Sequence, residues 1–261
     1  MIFDVLTLLP EVFAPYLQAS VLGRAMEAGL LAVNVVNIRD HAEGRHRVCD
    51  DYPYGGGQGM LMKPEPVAAA LDAVRQPGEA VWLLTPQGER FDDAMARALA
   101  REPRVLLLCA RYEGLDDRVR QLYAPREVSV GDYVLTGGEL AALCVIDAAA
   151  RFLPGVLGNE ASPERDTFGD GLLEAPQYTR PREFRGLAVP PVLLDGHHEE
   201  IRRWRRLQSL LLTRSRRPDL FAKLALTEED RALLAAADAQ APADAEADAE
   251  ADADADKPKS E

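Results

Sequence analysis

The sequence predicts an α/β protein: a mostly parallel sheet covered by helices on both faces, followed by a small all-helical domain. Three observations carry this. Apolar runs of strand length alternate with helix-period segments from Ile2 to Phe152. Some runs, such as Val105–Cys109, are continuously apolar, as in strands buried on both faces. After Pro154-Gly155 the texture turns polar and Gly/Pro-rich, and only helical patterns follow.

Element by element, Ile2–Leu8 reads as a buried strand, Pro10–Ala28 as a helix stopped by Gly29, and Leu31–Ile38 as a second strand. Arg39–Gly59 is a long polar, glycine-rich loop. Pro64–Val74 is helical and Ala80–Leu84 is a short strand. Phe91–Ala100 is a helix, Val105–Cys109 a central strand, and Leu115–Leu122 a short helix. Glu127–Val130 is a strand and Gly138–Phe152 a long helix. Residues 158–180 read as a linker or mobile loop. Pro190–Leu194 is a short apolar segment, and Glu199–Leu212 is a helix with Ile201, Trp204, Gln208 and Leu211 on one face. Leu220–Leu226 and Glu228–Ala237 continue the helical pattern. From Asp238 the chain alternates Ala with Asp or Glu and has nothing to bury, so disorder is expected. The organisation is therefore a first domain over 1–158, a flexible loop over 159–177, a helical domain over 178–237 and an acidic tail over 238–261.

Composition narrows the class. No run of about 18 apolar residues offers a transmembrane helix. The start, MIFDVLTLLPEVF, lacks a basic region and carries Asp4 and Glu11, which does not fit a secretory signal. Cys49, Cys109 and Cys144 are widely spaced and odd in number, so buried free thiols in a reducing cytoplasm are expected, with no zinc or other metal site. The net charge is −13, but residues 238–261 hold nine acids and two lysines, a net of −7, which leaves −6 for the other 237 residues. Within that body, positions 202–217 hold seven arginines. Local sign decides whether a polyanion is attracted.

Several segments carry chemistry. Tyr54-Gly55-Gly56-Gly57-Gln58-Gly59-Met60 allows positive φ and close backbone approach to a ligand. It lacks the Gly-Lys-Ser/Thr of a P-loop and the strand-to-helix spacing of a dinucleotide fingerprint. Arg45, His46 and Arg47 lie just upstream, and such a cationic patch beside open backbone suits phosphate or a base edge. His46 alone would count as a surface residue. Thr85-Pro86-Gln87-Gly88, Ala110-Arg111-Tyr112-Glu113-Gly114, and Ser129 to Leu135 with Gly137-Gly138-Glu139 follow three strands. Ligands of open α/β sheets bind at the carboxyl ends of strands, and three Gly- and aromatic-rich loops there predict a small-molecule pocket. Asp166 lies in a polar loop and Arg151 near a helix end, and the residues alone select neither. Arg202, Arg203, Arg205 and Arg206 flank Trp204, and Arg214, Arg216 and Arg217 extend the cluster. Arginine pairs bidentately with phosphate and stacks on bases, so RNA contact is expected there.

These motifs, in this order, resemble the bacterial tRNA (guanine-N1)-methyltransferases, the TrmD family. The resemblance rests on Arg45-His46-Arg47, Pro53-Tyr54-Gly55-Gly56-Gly57, Gly59-Met60-Leu61-Met62, Pro86-Gln87-Gly88 and Arg111-Tyr112-Glu113-Gly114. It continues through Gly131-Asp132-Tyr133-Val134-Leu135, Gly137-Gly138-Glu139 and the Arg151–Gly158 segment. Tyr178-Thr179-Arg180-Pro181, Val189-Pro190-Pro191-Val192-Leu193 and Ile201-Arg202-Arg203-Trp204-Arg205 extend it, so that only the tail is uncovered.

The resemblance implies a SPOUT-type fold with a deep trefoil knot, an exception to the rule against threaded chains. It implies a homodimer whose site uses both subunits, S-adenosylmethionine as methyl donor, and N1 of guanine 37 beside the anticodon as acceptor. Carried over, the donor contacts are Leu84, Thr85 and Pro86; Ala110, Tyr112, Glu113 and Gly114; Ser129, Val130, Gly131, Asp132, Tyr133, Val134 and Leu135; and Gly137 with Gly138. Where the family has glycine this chain has Ala110, which a backbone contact tolerates if φ is negative. The general base matches Asp166 and its supporting arginine Arg151. Tyr54, Gly55, Gly56, Gly57 and Gly59 match the loop that contacts the target base, with Arg45 and His46 beside it. The C-terminal helical domain would grip the anticodon arm. A related SPOUT enzyme acting on a ribose hydroxyl or another base would share this pocket. A non-catalytic RNA-binding protein would keep the fold, but the intact Gly131–Leu135 segment and Asp166 argue against it.

Overall fold

A computed structural model describes residues 1–158 and 166–239. The chain divides into two compact units, Met1–Pro163 and Glu164–Glu261. In chain order the first contains β1 (Ile2–Thr7), α1 (Ala14–Leu17), α2 (Ser20–Glu27), β2 (Ala32–Asn37), β3 (Asp50–Asp51), β4 (Leu61–Met62) and α3 (Pro64–Val74). It continues with β5 (Val81–Arg90), α4 (Asp93–Leu99), β6 (Arg104–Cys109), α5 (Asp117–Tyr123), β7 (Arg126–Ser129) and α6 (Glu139–Ala150).

Five strands form one sheet in the order β2-β1-β6-β5-β7, and every pairing is parallel. The two-residue period of the strands explains why both faces are apolar. Leu6, Val81, Leu83, Leu106 and Leu108 pack with Val67, Leu71 and Val119 on one side. Phe3, Val5, Trp82, Leu84, Val105 and Leu107 pack with Leu22, Leu99, Val145 and Ile146 on the other. Each such buried side chain contributes about 1.5–3 kcal/mol. Asp4 is the polar exception on β1. It accepts hydrogen bonds from Arg104 Nε (2.6 Å) and Asn34 Nδ2 (2.9 Å), which offsets its burial.

Three expectations need correction in this unit. Pro10–Ala28 is not one helix. A 3-10 turn over Pro10–Val12, α1 and α2 follow one another, and Ser20 has φ 50°. That turn packs Gly23 on the carbonyl of Gln18, where an added Cβ would sit 2.4 Å from the oxygen. Arg39–Gly59 is not all loop, because β3 pairs antiparallel with β4 and carries the glycine-rich segment as a ribbon. Cys144 is exposed, unlike Cys49 and Cys109. It follows exposed Leu140 by one turn on the single open stripe of α6.

The second unit is not all helical. It begins with irregular residues 166–177, followed by an antiparallel hairpin of β8 (Glu183–Phe184) and β9 (Leu187–Ala188). A 3-10 turn at Pro191–Leu193, α7 (His198–Arg216) and α8 (Pro218–Phe221) come next, and residues 228–239 are helical. Residues 224–227 are not helical, contrary to the reading of Leu220–Leu226, and Leu224 and Leu226 pack against the core of Leu172, Leu210 and Leu234. Leu210 and Thr213 are the buried residues of α7, while Ile201, Trp204, Gln208 and Leu211 are half-buried, Leu211 packing against the core. Thr213 is buried because its Oγ1 accepts from Leu173 N (2.9 Å) and donates to the Ser209 carbonyl (2.6 Å). Leu173 and the buried Leu172 belong to the segment read as a flexible linker, so from Asp166 onward that segment packs onto α7. Asp238, read as the start of the tail, lies in the last helix and accepts two hydrogen bonds from Arg214. Residues 159–165 and 240–261, the start of the expected loop and most of the expected tail, lie outside the described residues. Among the described residues no helix is long and apolar enough to cross a membrane.

Candidate active site

The middle of β5 and the carboxyl ends of β6 and β7 converge on a cavity of about 250 Å³. The sheet order makes these three strands neighbours, which chain order alone does not reveal. Every residue expected to hold the donor lines this cavity except Asp132. Asp132 sits at the apex of a turn closed by Tyr133 N donating to the Gly131 carbonyl (2.9 Å), and it is exposed. Gln87 and Arg111, which stand in the predicted pocket segments, complete the wall together with Arg120, Val128 and Ala141, which the sequence reading does not pick out for this site. Ala141 lies one helical turn beyond Gly138, a spacing that would have found it; Arg120 left no such signal.

Backbone geometry explains the residue types. Thr85–Gly88 is not a loop past the end of a strand but a bulge within β5. Val128 of β7 pairs first with Leu84 and again with Glu89. The bulge brings Thr85, Pro86 and Gln87 to the cavity, and the ladder resumes at Glu89. A Cβ on Gly88 would lie 2.2 Å from the Val128 nitrogen, backbone against backbone, so glycine is required. Gly138 is close to the end of β6 in the same way, where an added Cβ would lie 2.8 Å from the Cys109 Cα, and its nitrogen donates to the Ala110 carbonyl (2.9 Å). Ala110 is not among the residues with positive φ, which is the condition under which its methyl group is tolerated. Tyr112 does have positive φ (62°). A tyrosine held there costs about 1–3 kcal/mol, and such strain concentrates at functional sites.

Glu139 ties this wall together. Its carboxylate is buried at the first turn of α6, accepting from Thr7 Oγ1 (2.8 Å) and Arg111 Nη1 (3.1 Å). The helix N-terminus favours that negative charge. Thr7 ends β1, and Arg111 lines the cavity, so one carboxylate connects three elements at the same edge of the sheet. Glu139 stands outside the expected site residues, although it ends the Gly-Gly-Glu motif.

The glycine-rich ribbon is fastened beside the cavity. Glu113 N donates to the Met60 carbonyl (3.0 Å), and Met62 N to the Gly114 carbonyl (2.9 Å). Gly55, Gly56, Gly57 and Gly59 all have positive φ, and Tyr54 at the tip is 99% exposed. Arg45 and His46 are exposed on the approach to it.

Arg151 is the C-cap of α6 in the first unit. Asp166 opens the described part of the second, where it borders a cleft with Gln177, Arg202, Arg205, Arg206 and Ser209. The arginine cluster is less available than expected. Arg206 donates to buried Asp230 through Nε (2.7 Å) and Nη2 (3.0 Å) and also pairs with Asp170. Arg202 pairs with Glu199 and Glu229, Arg214 with Asp238, and Arg217 with Asp219. Arg203 lies 3.9 Å from Glu229. Arg205 and Arg216 form no salt bridge with any described residue. The acids interleaved on and around α7 neutralise what the arginine count alone presents as a basic face.

Comparison with known proteins matches residues 1–223 to the family model described as tRNA (guanine-1)-methyltransferase TrmD. A protein of Anaeromyxobacter sp. (strain K) named tRNA (guanine-N(1)-)-methyltransferase is 59% identical over 239 residues, covering 90% of this chain and 96% of its own length. The protein of the same name from Geobacter sulfurreducens is 55% identical over 240 residues, with coverage of 91% and 98%. That of Myxococcus xanthus is 53% identical over 240 residues, covering 91% and 97%.

Proposed function

The chain belongs to the tRNA (guanine-1)-methyltransferase family, and from that premise we propose that it transfers a methyl group from S-adenosylmethionine to N1 of guanine 37 in tRNA. The observation that carries this reading is the cavity at the β5 bulge and the ends of β6 and β7. Its residues fit the donor. Leu84, Val128, Val130 and Leu135 offer apolar walls for a purine, and the glycines at 131, 137 and 138 leave backbone open to approach. When bound, the donor supplies an electrophilic methyl group on a sulfonium. We further propose that the chain is knotted around this site, as in other SPOUT proteins.

Guanine N1 carries a proton at neutral pH and is a poor nucleophile. Asp166 acts as the general base that removes it, and general-base assistance of this kind is worth roughly 10²–10⁴-fold. Arg151 orients Asp166 or stabilises the negative charge that spreads toward O6. Tyr54 and the glycines through Gly59 hold the unstacked base, and the second unit binds the anticodon arm. The working enzyme is a homodimer, with Asp166 serving a cavity completed by the other subunit. Exposed Leu140 and Cys144 on the open stripe of α6, with exposed Tyr16 donating to Asp147 of the same helix (2.9 Å), support a contact with a second copy.

The test is methyl transfer to a tRNA transcript carrying guanine 37 or a replacement at that position, with the product nucleoside identified by mass spectrometry. N1-methylguanosine formed only on the first transcript is expected. A methyl group on ribose or on another base would overturn the reading.

A further inference from the structure

The second unit carries a cationic surface other than α7. Residues 176–188 are exposed without a break, including Phe184 (61%) and Leu187 (78%). Arg180, Arg182 and Arg185 form no salt bridge with any described residue, unlike Arg202, Arg206, Arg214 and Arg217. These three are the open cations of the segment.

The hairpin geometry sorts them. Phe184 pairs with Leu187 and Glu183 with Ala188, and Val189 N donates to the Arg182 carbonyl (2.8 Å). Strand alternation therefore puts Arg182, Phe184, Leu187 and Val189 on one face, and Glu183 on the other. The turn is Arg185-Gly186, with φ of 55° and 82°. Two positive φ values mark a type I′ turn, whose first position strongly favours Asn, Asp or Gly. This chain places an arginine there against that preference. Its guanidinium lies over the Phe184 ring at 5.2 Å from the centroid. Tyr178, six residues before Phe184, stacks against Trp204 at 6.4 Å and anchors the segment to α7.

An exposed ring, an arginine over it and a second arginine on the same face match a nucleotide whose base has left the stack: an aromatic and guanidinium platform for the base, and donors for its phosphate. We propose that the β8–β9 hairpin is an RNA-docking element that takes an unstacked loop nucleotide of the substrate on Phe184, with Arg182 and Arg185 on the adjoining phosphates. This rests on the assignment of tRNA as substrate and names the surface that meets it.

Arg185→Asn separates binding from folding, because asparagine suits the turn better than arginine does. The full chain and the Arg185→Asn and Phe184→Ala variants would be titrated with the tRNA transcript at several salt concentrations, with melting temperature, donor affinity and molecular mass measured alongside. Arg185→Asn is expected to keep or raise the melting temperature, weaken tRNA binding several-fold and reduce the salt slope by roughly 0.7–0.9. Phe184→Ala is expected to weaken binding by about 5- to 100-fold with donor affinity unchanged. Wild-type binding and salt slope in both variants would overturn the proposal. So would a loss of dimer mass with RNA affinity retained, which would assign the hairpin to a second copy of the chain. If the wild type binds through the hairpin yet methylates no guanine, the functional assignment fails and the docking surface stands.

Discussion

At the scale of the residue, two carboxylates divide the work differently. Asp166 is proposed to touch the substrate, so Asp166→Asn is expected to leave donor affinity by calorimetry unchanged while single-turnover methylation falls by roughly 10²–10⁴-fold. Near-normal single turnover would remove it from the mechanism. Glu139 touches no ligand but holds Arg111 and Thr7. Glu139→Gln keeps the shape and leaves the guanidinium without its charge partner, a loss of about 1–3 kcal/mol. We expect a lower melting temperature together with weaker donor binding. The type of these residues was legible in the sequence, but their roles were not. Asp166 is one acid among several in a polar stretch, and Glu139 became distinctive only when folding buried it beside the end of β1.

At the scale of the element, the helix over residues 228–239 is fixed at its start by a reciprocal pair. Thr227 N donates to Asp230 Oδ2 (3.0 Å), and Asp230 N to Thr227 Oγ1 (3.1 Å). This is a capping box with aspartate in place of glutamate. The Arg206 side chain, followed by these Thr227 contacts, holds the Asp230 carboxyl well below the usual carboxylate range. A depressed folded-state pKa contributes stability that is complete above the unfolded value near ~4 and is lost as pH falls below it toward the folded value. Asp230→Asn is therefore expected to cost about 2 kcal/mol in urea unfolding at neutral pH, with the difference from wild type shrinking in strong acid. A constant difference across that range would exclude the charge as its cause. The helices α3 to α6 were legible through their apolar period, whereas α1 and α2 read as one. The bulge in β5 was not, because Thr85-Pro86-Gln87-Gly88 reads locally as a turn, and only pairing of Val128 on both sides of it reveals a strand that resumes.

At the scale of the whole molecule, charge is distributed against the total. Truncation after Ala239 removes eight acids and two lysines and takes the net charge from −13 to −7. If the tail competes with RNA for cationic surface, this truncation raises non-specific RNA affinity at low salt, and the gain fades as salt increases. Identical binding isotherms for the two chains at 50 mM salt would dismiss that role. Ending the chain after Ala239 keeps Asp238, which is spoken for by Arg214.

The sequence by itself determined the parallel α/β class, the three segments that line the cavity and the family, because these reside in apolar period and in contiguous motifs. Only the tertiary structure decided that β6, β5 and β7 stand side by side, that Glu139 is buried against Arg111 and that five of the seven arginines on α7 and its end are paired with acids. The reason is physical. Periodicity reports which face of an element is buried, a local property, whereas strand order is not local, and the pairs Arg111–Glu139, Arg206–Asp230 and Arg214–Asp238 depend on partners 24 to 28 residues away in the chain; only pairs such as Arg217–Asp219 lie within local reach.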